Sequence, residues 1–376
     1  MQGSLLNKMP IASASQAALL TPCRLNAQAT PFSSKNSAFS GTSVLPPLPH
    51  SRHVAPFVAA NKRTPVVTIS ASAADTKGTI AITGATGLIG TRLVEALRSQ
   101  GYAVRVLTRN PASARSKLRQ ATGLEFFGPS QWAAAIKGTS AVVNLAGEPI
   151  ATRWTPELKA EIKQSRVRTT TALADAINAL PENERPGVLI SSSAVGFYGA
   201  NDNSTFNESS GPGNDYLSEV CKEWEAAANK AQTRVVILRT GIVLSRDGGA
   251  LSKMIPVFQI FAGGPLGSGR QWCSWIHRDD VVGMILAAMN DKKWTGIYNA
   301  TAPNPVRMGE LCSELGAVMG RPSFFPVPDF ALKTLLGEGA RVVLDGQRVV
   351  PARAQEVGYA FKYTKVQDAL RNALKQ

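Results

Sequence analysis

Thr79-Ile80-Ala81-Ile82-Thr83-Gly84-Ala85-Thr86-Gly87-Leu88-Ile89-Gly90 is the stretch that decides the fold. A short β-branched, apolar run ends at Thr83 and meets three glycines spaced three apart. An amphipathic segment follows at once, with Leu88, Ile89, Leu93, Val94 and Leu97 at helical spacing. Glycine lets the backbone turn tightly, approach a pyrophosphate closely and pack the helix against the strand, while the helix N-terminus offers free N–H groups and a partial positive charge. A glycine-rich turn by itself is only a turn. Set between a strand and a helix, this one predicts a dinucleotide site.

The next strand, Tyr102 to Thr108, alternates and ends at Arg109 rather than at an acid. An acid there would bind the ribose 2′-hydroxyl of NAD, whereas an arginine suits the 2′-phosphate, so the cofactor expected is NADP. The alternative is a solvent-exposed arginine that merely ends the strand, with Thr108 a spectator. Further strands are expected at Leu124–Phe127, Ser140–Gly147, Val188–Ser193 and Arg234–Thr240. Helical patterns at Pro156–Leu180 and Tyr216–Gln232 separate the later ones. Strands alternating with helices imply an α/β fold, a Rossmann-type doubly wound parallel sheet covered on both faces. Ligands of such sheets lie beyond the carboxyl ends of the strands. That gathers Gly84, Thr86, Gly87, Leu88, Ile89 and Gly90 with Thr108 and Arg109, the Leu145-Ala146-Gly147 turn and Ser191 to Ser193 around one crevice.

Charge divides the chain. Lys and Arg number 41 against 26 Asp and Glu, a net +15, yet residues 1–74 contain six basic residues and no acid. That acid-free stretch is rich in Ser, Ala, Thr and Pro and lacks sustained apolar periodicity, so it is expected to be a chloroplast transit peptide cleaved near residues 69–74. The +9 left on the remainder is diffuse; it suits a solvated surface and gives no reason to expect nucleic acid. Cys221, Cys273 and Cys312 form no CxxC pair and no metal-ligand spacing, so neither a disulfide framework nor a metal is expected. No apolar run is long enough to span a bilayer.

Past the Rossmann segment the sequence turns glycine-rich, with Arg270 either an anion ligand or part of an exposed connection. Asp279 or Asp280 is expected to cap a helix over Val281–Met289, with His277 before it a structural hydrogen-bonding residue rather than a base. The expected organisation is a dinucleotide domain over residues 77–245, with 270–300 packing back on it. A smaller α+β lobe is expected from residues 246–269 and 301–376.

Taken together, Thr83–Gly90, Asn144–Ile150 (NLAGEPI), Ser165–Thr169, Ser191–Gly199, Val220–Glu225, Gly263–Asp280 and the tail Gln347–Pro351 followed by Glu356–Tyr359 resemble the extended short-chain dehydrogenase/reductase superfamily. Within it they look like the epimerase-like subfamily that includes the plant and cyanobacterial SulA-type cell-division proteins. The resemblance covers essentially everything after residue 74. It implies an NADP-binding Rossmann domain with a C-terminal lobe for a small-molecule substrate. It also implies a part in chloroplast division beside plastid-division proteins, peripherally at the inner envelope. Glu161 and Arg166, on the helix after NLAGEPI, and Val243 become candidate cofactor contacts, Arg166 near phosphate; a surface ion pair between Glu161 and Arg166 is the other way to read them.

In that superfamily a serine orients the carbonyl, and a Tyr-x-x-x-Lys pair passes the proton and holds the nicotinamide ribose, general acid–base chemistry with a tuned pKa. Here Ser193, or its neighbour Ser192, can take the serine's role and Tyr216 the tyrosine's, but the residue four after Tyr216 is Val220. Lys222, six on, sits roughly 120° around the helix and about 9 Å along it, so it cannot easily share one pocket with Tyr216. Without that lysine Tyr216 would keep a pKa of about 10. Tyr198 could substitute, although aromatic packing suits it better.

Overall fold

The computed structural model describes residues 76–375, and the expected transit peptide over 1–74 lies outside them. The first half alternates strand and helix: β1 (Thr79–Thr83), α1 (Leu88–Ser99), β2 (Ala103–Leu107), α2 (Pro111–Lys117), β3 (Leu124–Phe127), α3 (Trp132–Ile136), β4 (Ala141–Asn144), α4 (Pro156–Asn178) and β5 (Val188–Ala194). Thr155 and Asn110 start α4 and α2 by accepting the Leu158 and Ser113 N–H groups on their side chains, with proline at the first helical position of each. Then come β6 (Asn201–Phe206), α5 (Tyr216–Ala228), β7 (Arg234–Thr240), β8 (Ile242–Leu244), α6 (Gly249–Gln259), β9 (Trp272–Cys273), β10 (Trp275–His277), α7 (Arg278–Asn290) and β11 (Gly296–Ala300). The remainder is β12 (Val306–Arg307), α8 (Met308–Met319), α9 (Asp329–Leu336), α10 (Arg341–Leu344), β13 (Gln347–Val349), α11 (Ala352–Glu356) and α12 (Val366–Lys375).

Seven strands form one parallel sheet in the order β11-β7-β5-β4-β1-β2-β3, the Rossmann-type doubly wound arrangement. The sequence pattern supplies six of them; β11 is the seventh, parallel to β7 with Ala300 opposite Thr240. The order reverses between β1 and β4. Thr83 pairs with Leu107 on one side and Asn144 on the other, so the three strands end level and the segments following them meet at one place.

Alternation assigns the faces. Ile80, Ile82, Val104 and Val143 pack with Leu93 and Leu97 of α1 and with Met284 and Ile285 of α7. On the other face Ala81, Val142 and Leu189 meet Leu173 and Ile177 of α4. With both faces covered, β4 is buried at every position, which is why it reads as a continuous apolar run closed by one asparagine. Each such fully buried Leu or Ile contributes about 1.5–3 kcal/mol. A separate core holds the C-terminal part together around Phe258, Trp275, Leu311, Leu315 and Leu370.

Two local features differ from the sequence expectation. The cap of α7 is His277, whose Nδ1 accepts the Asp279 N–H at 3.1 Å, and not an aspartate. Asp280 instead accepts the backbone N–H groups of Lys362 and Tyr363, tying the chain's end to α7. In addition, polar β6 pairs in parallel with β13, so the tail returns to the ends of the sheet strands.

Candidate cofactor and substrate cleft

At the turn after β1 the glycines are required by space. A Cβ on Gly90 would lie 2.2 Å from the Gly84 carbonyl oxygen. One on Gly84, whose φ is +68°, would lie 2.5 Å from the Leu145 carbonyl oxygen. Gly87 opens α1 without a side-chain cap, and no acid stands in the helix's first turn. In contrast α5 and α7 are capped by Asp215 and His277. An uncapped, acid-free helix start beside a turn too tight for side chains fits a pyrophosphate.

Around it the structure places the other expected residues as follows. Thr108 is half-buried and Arg109 exposed at the end of β2. The Arg109 guanidinium meets Glu148 Oε1 at 2.8 Å with its side chain 76% exposed, a screened pair worth well under about 1 kcal/mol and open to competition by a phosphate. Leu145, Ala146 and Gly147 follow β4 against the glycine turn, the Ala146 N–H reaching Asn144 Oδ1 at 3.4 Å. Asn144 is fully buried at the point where the order reverses: it accepts from Thr83 Oγ1 at 2.7 Å and donates to Thr170 Oγ1 at 2.8 Å. Leu88 lies against Gly248 and Gly249, and Val243 of β8 borders the same loop, its carbonyl 3.3 Å from where a Gly249 Cβ would stand.

Glu161 and Arg166 part company. Glu161 pairs with Arg168 at 3.1 Å on the surface, away from the cleft. Arg166 donates to the carbonyls of Ile162 and Glu148 at 2.8 and 2.9 Å and lies over the Trp224 ring at 5.2 Å. Burial pulls its pKa below the usual arginine value. Its hydrogen bonds, among the described residues, all go to backbone oxygen. A half-buried cation held this way at the wall of a cleft suits an anionic group of a ligand.

That cleft, of about 200 Å³, opens beyond the ends of β5 and β7. Tyr216 lines it at the start of α5, where Asp215 caps the helix by accepting the Ser218 N–H. The Tyr216 hydroxyl donates to the Lys159 carbonyl, and Lys159 Nζ lies 4.7 Å from the ring centroid. Burial raises the Tyr216 pKa, an effect that nearby Arg166 and Lys163 oppose. Lys222 is exposed on another face of α5, as helical geometry requires. Val220 and Cys221 line the cleft where a lysine would otherwise stand, the Cys221 thiol pushed up to about 11 by burial.

Ser193 is buried and faces a network rather than open space. Its Oγ donates to Glu225 Oε1 at 2.6 Å; Arg239 holds the same carboxylate and donates to the Tyr198 hydroxyl at 3.1 Å. Tyr198 in turn donates to Asn299 Oδ1 at 2.7 Å, the packing role its position suggests. Arg270 is exposed and does not line the cleft. Among the lining residues that the sequence reading did not assign to the site are Trp154, Trp272, Arg341 and Gln347. The two tryptophans were the available signal, since each is a large apolar ring in a polar or irregular stretch. Gln347 opens the tail singled out by resemblance and reaches the cleft through the β6–β13 pairing, while nothing local marks Arg341.

A doubly wound sheet with a glycine turn at its switch point defines a dinucleotide-binding protein. Residues 80–300 match the NAD dependent epimerase/dehydratase family, and the chain belongs to it, within the extended short-chain dehydrogenases/reductases. Residues 327–373 match a domain of unknown function, DUF1731. Among relatives, the chain is 53% identical over 307 residues to the chloroplastic epimerase family protein SDR39U1 homolog of Arabidopsis thaliana, covering 81% of this chain and 88% of that one. It is similar to the crystal structure of human epimerase family protein SDR39U1 with NADPH, at a TM-score of 0.73 and 32% identity, covering 79% and 99% of the two chains. A UDP-glucuronic acid 4-epimerase from Bacillus cereus shares the fold at a TM-score of 0.63 and 18% identity, covering 79% and 99%.

Proposed function

We propose that this chain binds NADP(H) across the switch-point crevice and acts in the plastid as an NADP-dependent oxidoreductase of epimerase type on a small-molecule substrate. The carrying observation is the pairing of an uncapped, side-chain-free turn at Gly84–Gly90 with Arg109 at the end of the adjoining strand. The turn and α1 would hold the pyrophosphate, Arg109 the 2′-phosphate, and the Leu145–Gly147 turn with Arg166 the inner part of the cofactor. NADPH in the human relative and a chloroplastic relative in Arabidopsis support cofactor and compartment. Bound there, NADP(H) supplies or accepts a hydride. Tyr216 is the hydroxyl placed at the cleft to hold or move a proton, after exchanging the Lys159 carbonyl for substrate. Resemblance to SulA-type proteins extends the role to chloroplast division.

The test is titration of residues 76–376 with NADPH and NADH, followed by turnover of small carbonyls by wild type and Tyr216→Phe. Saturable NADPH binding with loss of turnover in the variant is expected. Absence of saturable NADPH binding removes the reading altogether, and equal rates remove Tyr216 from it.

A second reading, an NADP-binding regulator at the inner envelope without chemistry of its own, draws on different observations. Ser193 and Tyr216 both already have protein partners, and Ile260, Phe261, Phe324, Phe325, Phe330 and Leu335 are all more than half exposed. Among the described residues no helix is long and apolar enough to cross a membrane. Sedimentation with inner-envelope lipid vesicles, unaffected by Tyr216→Phe, would favour this reading, and protein left wholly in the supernatant at low salt would remove its membrane part.

A further inference from the structure

Flat aromatic faces enclose the cleft from three directions. Trp154 comes from the segment before α4, Tyr216 and Trp224 from α5, and Trp272 from β9. Trp154 and Tyr216 meet edge to face, their centroids 5.3 Å apart. The polar tips of these rings are all spent inside the protein. Trp154 Nε1 donates to the Ile150 carbonyl at 2.8 Å, Trp224 Nε1 to Thr170 Oγ1 at 2.9 Å and Trp272 Nε1 to the Asp202 carbonyl at 3.0 Å. The Tyr216 hydroxyl has the Lys159 carbonyl. Arg307 and Arg348 already lie over the Trp272 ring at 3.8 and 4.9 Å and Arg166 over Trp224 at 5.2 Å, so what remains for a ligand is chiefly ring surface of Trp154 and Tyr216.

Arg166 is the cation at the cleft wall that the NADP(H) reading assigns to the cofactor; the other polar side chains named along the lining largely bond within the protein. Ser274 Oγ donates to the Gln347 carbonyl at 2.7 Å and accepts the Val349 N–H at 2.9 Å. Gln347 Nε2 donates to the Val195 carbonyl at 2.8 Å, and Arg341, half exposed, pairs through Nε with Asp345 at 3.0 Å. A nucleotide-linked sugar brings a row of hydroxyls, and a lining whose side-chain donors and acceptors are mostly occupied leaves most of them unmatched. Size argues in the same direction. The cleft's volume of about 200 Å³ falls below the ~300 Å³ at which pockets begin to enclose drug-sized ligands, and on the NADP(H) reading the nicotinamide end would share it.

Resting on the NADP(H) reading above, we propose that the substrate is a compact, planar, largely apolar carbonyl compound about one ring in size, held against the rings of Trp154 and Tyr216. Nucleotide-linked sugars are excluded by the same walls. Trp154 is the specificity-determining ring, because its bond to the Ile150 carbonyl and its edge-to-face contact with Tyr216 hold it at the cleft wall.

The experiment uses the NADPH-loaded protein and ligand-observed saturation-transfer NMR, with acetophenone and UDP-glucuronic acid as probes. Saturation transfer to the acetophenone ring and none to UDP-glucuronic acid is expected. Trp154→Ala is expected to weaken acetophenone at least about tenfold, whereas Trp154→Phe, which keeps a flat face, retains it. Binding of UDP-glucuronic acid, silence from acetophenone, or indifference to Trp154→Ala overturns the proposal; should that variant fail to fold, the wild-type comparison of the two probes decides alone. NADPH titration of the same samples separates the layers. Loss of NADPH binding sinks the cofactor reading, while normal NADPH binding with silent acetophenone sinks only the substrate class.

Discussion

Ser193 and Glu225 share a 2.6 Å hydrogen bond between the serine hydroxyl and Oε1 of a carboxylate that Arg239 also grips, Nε to Oε1 and a terminal nitrogen to Oε2, both at 2.8 Å. The Glu225 and Arg239 side chains are 7% and 3% exposed, so neither charge has water to fall back on. The serine that a carbonyl-orienting role would need is thus also a strut of the buried pair beneath the cleft.

Removing members of this network separately should rank them. Ser193→Ala deletes one bond to a charged acceptor and is expected to cost about 1.5–3 kcal/mol. Glu225→Ala strands a buried guanidinium and is expected to cost about 3–5 kcal/mol. Urea unfolding of each variant checks the order. A Glu225→Ala protein as stable as wild type would show that the pair is not what holds α5 to β7.

Gly90→Ala tests the turn. Its new Cβ would fall 2.2 Å from the Gly84 carbonyl oxygen, which belongs to backbone and cannot swing aside. The expected result is at least about tenfold weaker NADPH binding, since a shift in this turn moves the amide groups aimed at phosphate. Gly211, where an added Cβ meets nothing within 4 Å, provides the control: Gly211→Ala should bind NADPH as wild type does.

Arg109 should separate the two nicotinamide cofactors. Its pair with Glu148 is exposed and cheap to exchange, so a 2′-phosphate gains a charge-assisted contact worth about 1.5–3 kcal/mol. Arg109→Ala is therefore expected to weaken NADPH by about ten- to a hundredfold and leave NADH within about twofold. Isothermal titration of both cofactors reads the difference. Equal losses for the two would place Arg109 outside the 2′-phosphate site.

Much of this architecture was legible because the physics behind it is local. Buried parallel strands must be apolar, so β1, β4 and β7 announce themselves, and the 100° step of a helix correctly separates Lys222 from Tyr216. What escaped depends on partners far along the chain. β6 reads Asn-Asp-Asn-Ser-Thr-Phe, without apolar alternation, and is a strand only because residues 347–349 pair with it. Asp280 has the composition of a cap but is claimed by Lys362 and Tyr363, leaving the position to His277. The cleft's aromatic lining is likewise assembled from three separate segments, and no window of sequence shows Trp154 beside Tyr216.

That cap gives the protein a defined acid sensitivity. His277 is fully buried, its Nδ1 accepts the Asp279 N–H, and its ring packs 4.1 Å from that of Tyr363. Burial lowers its pKa from 6.5 to about 4, with Arg278, Lys362 and Arg92 adding to the effect and Asp279 opposing it. The folded state therefore favours neutral imidazole. Between pH 6.5 and 4 the unfolded chain binds the extra proton, so this contribution to stability is complete above about pH 6.5 and is lost as the pH falls toward 4. From the two pKa values the loss between pH 7.5 and pH 5 is about 2 kcal/mol. His277→Asn keeps an acceptor for the Asp279 N–H but cannot titrate, so its urea-unfolding free energy should fall by about 2 kcal/mol less than wild type over the same interval. If the two proteins lose stability in parallel, the acid sensitivity resides in the carboxylates and not in this imidazole.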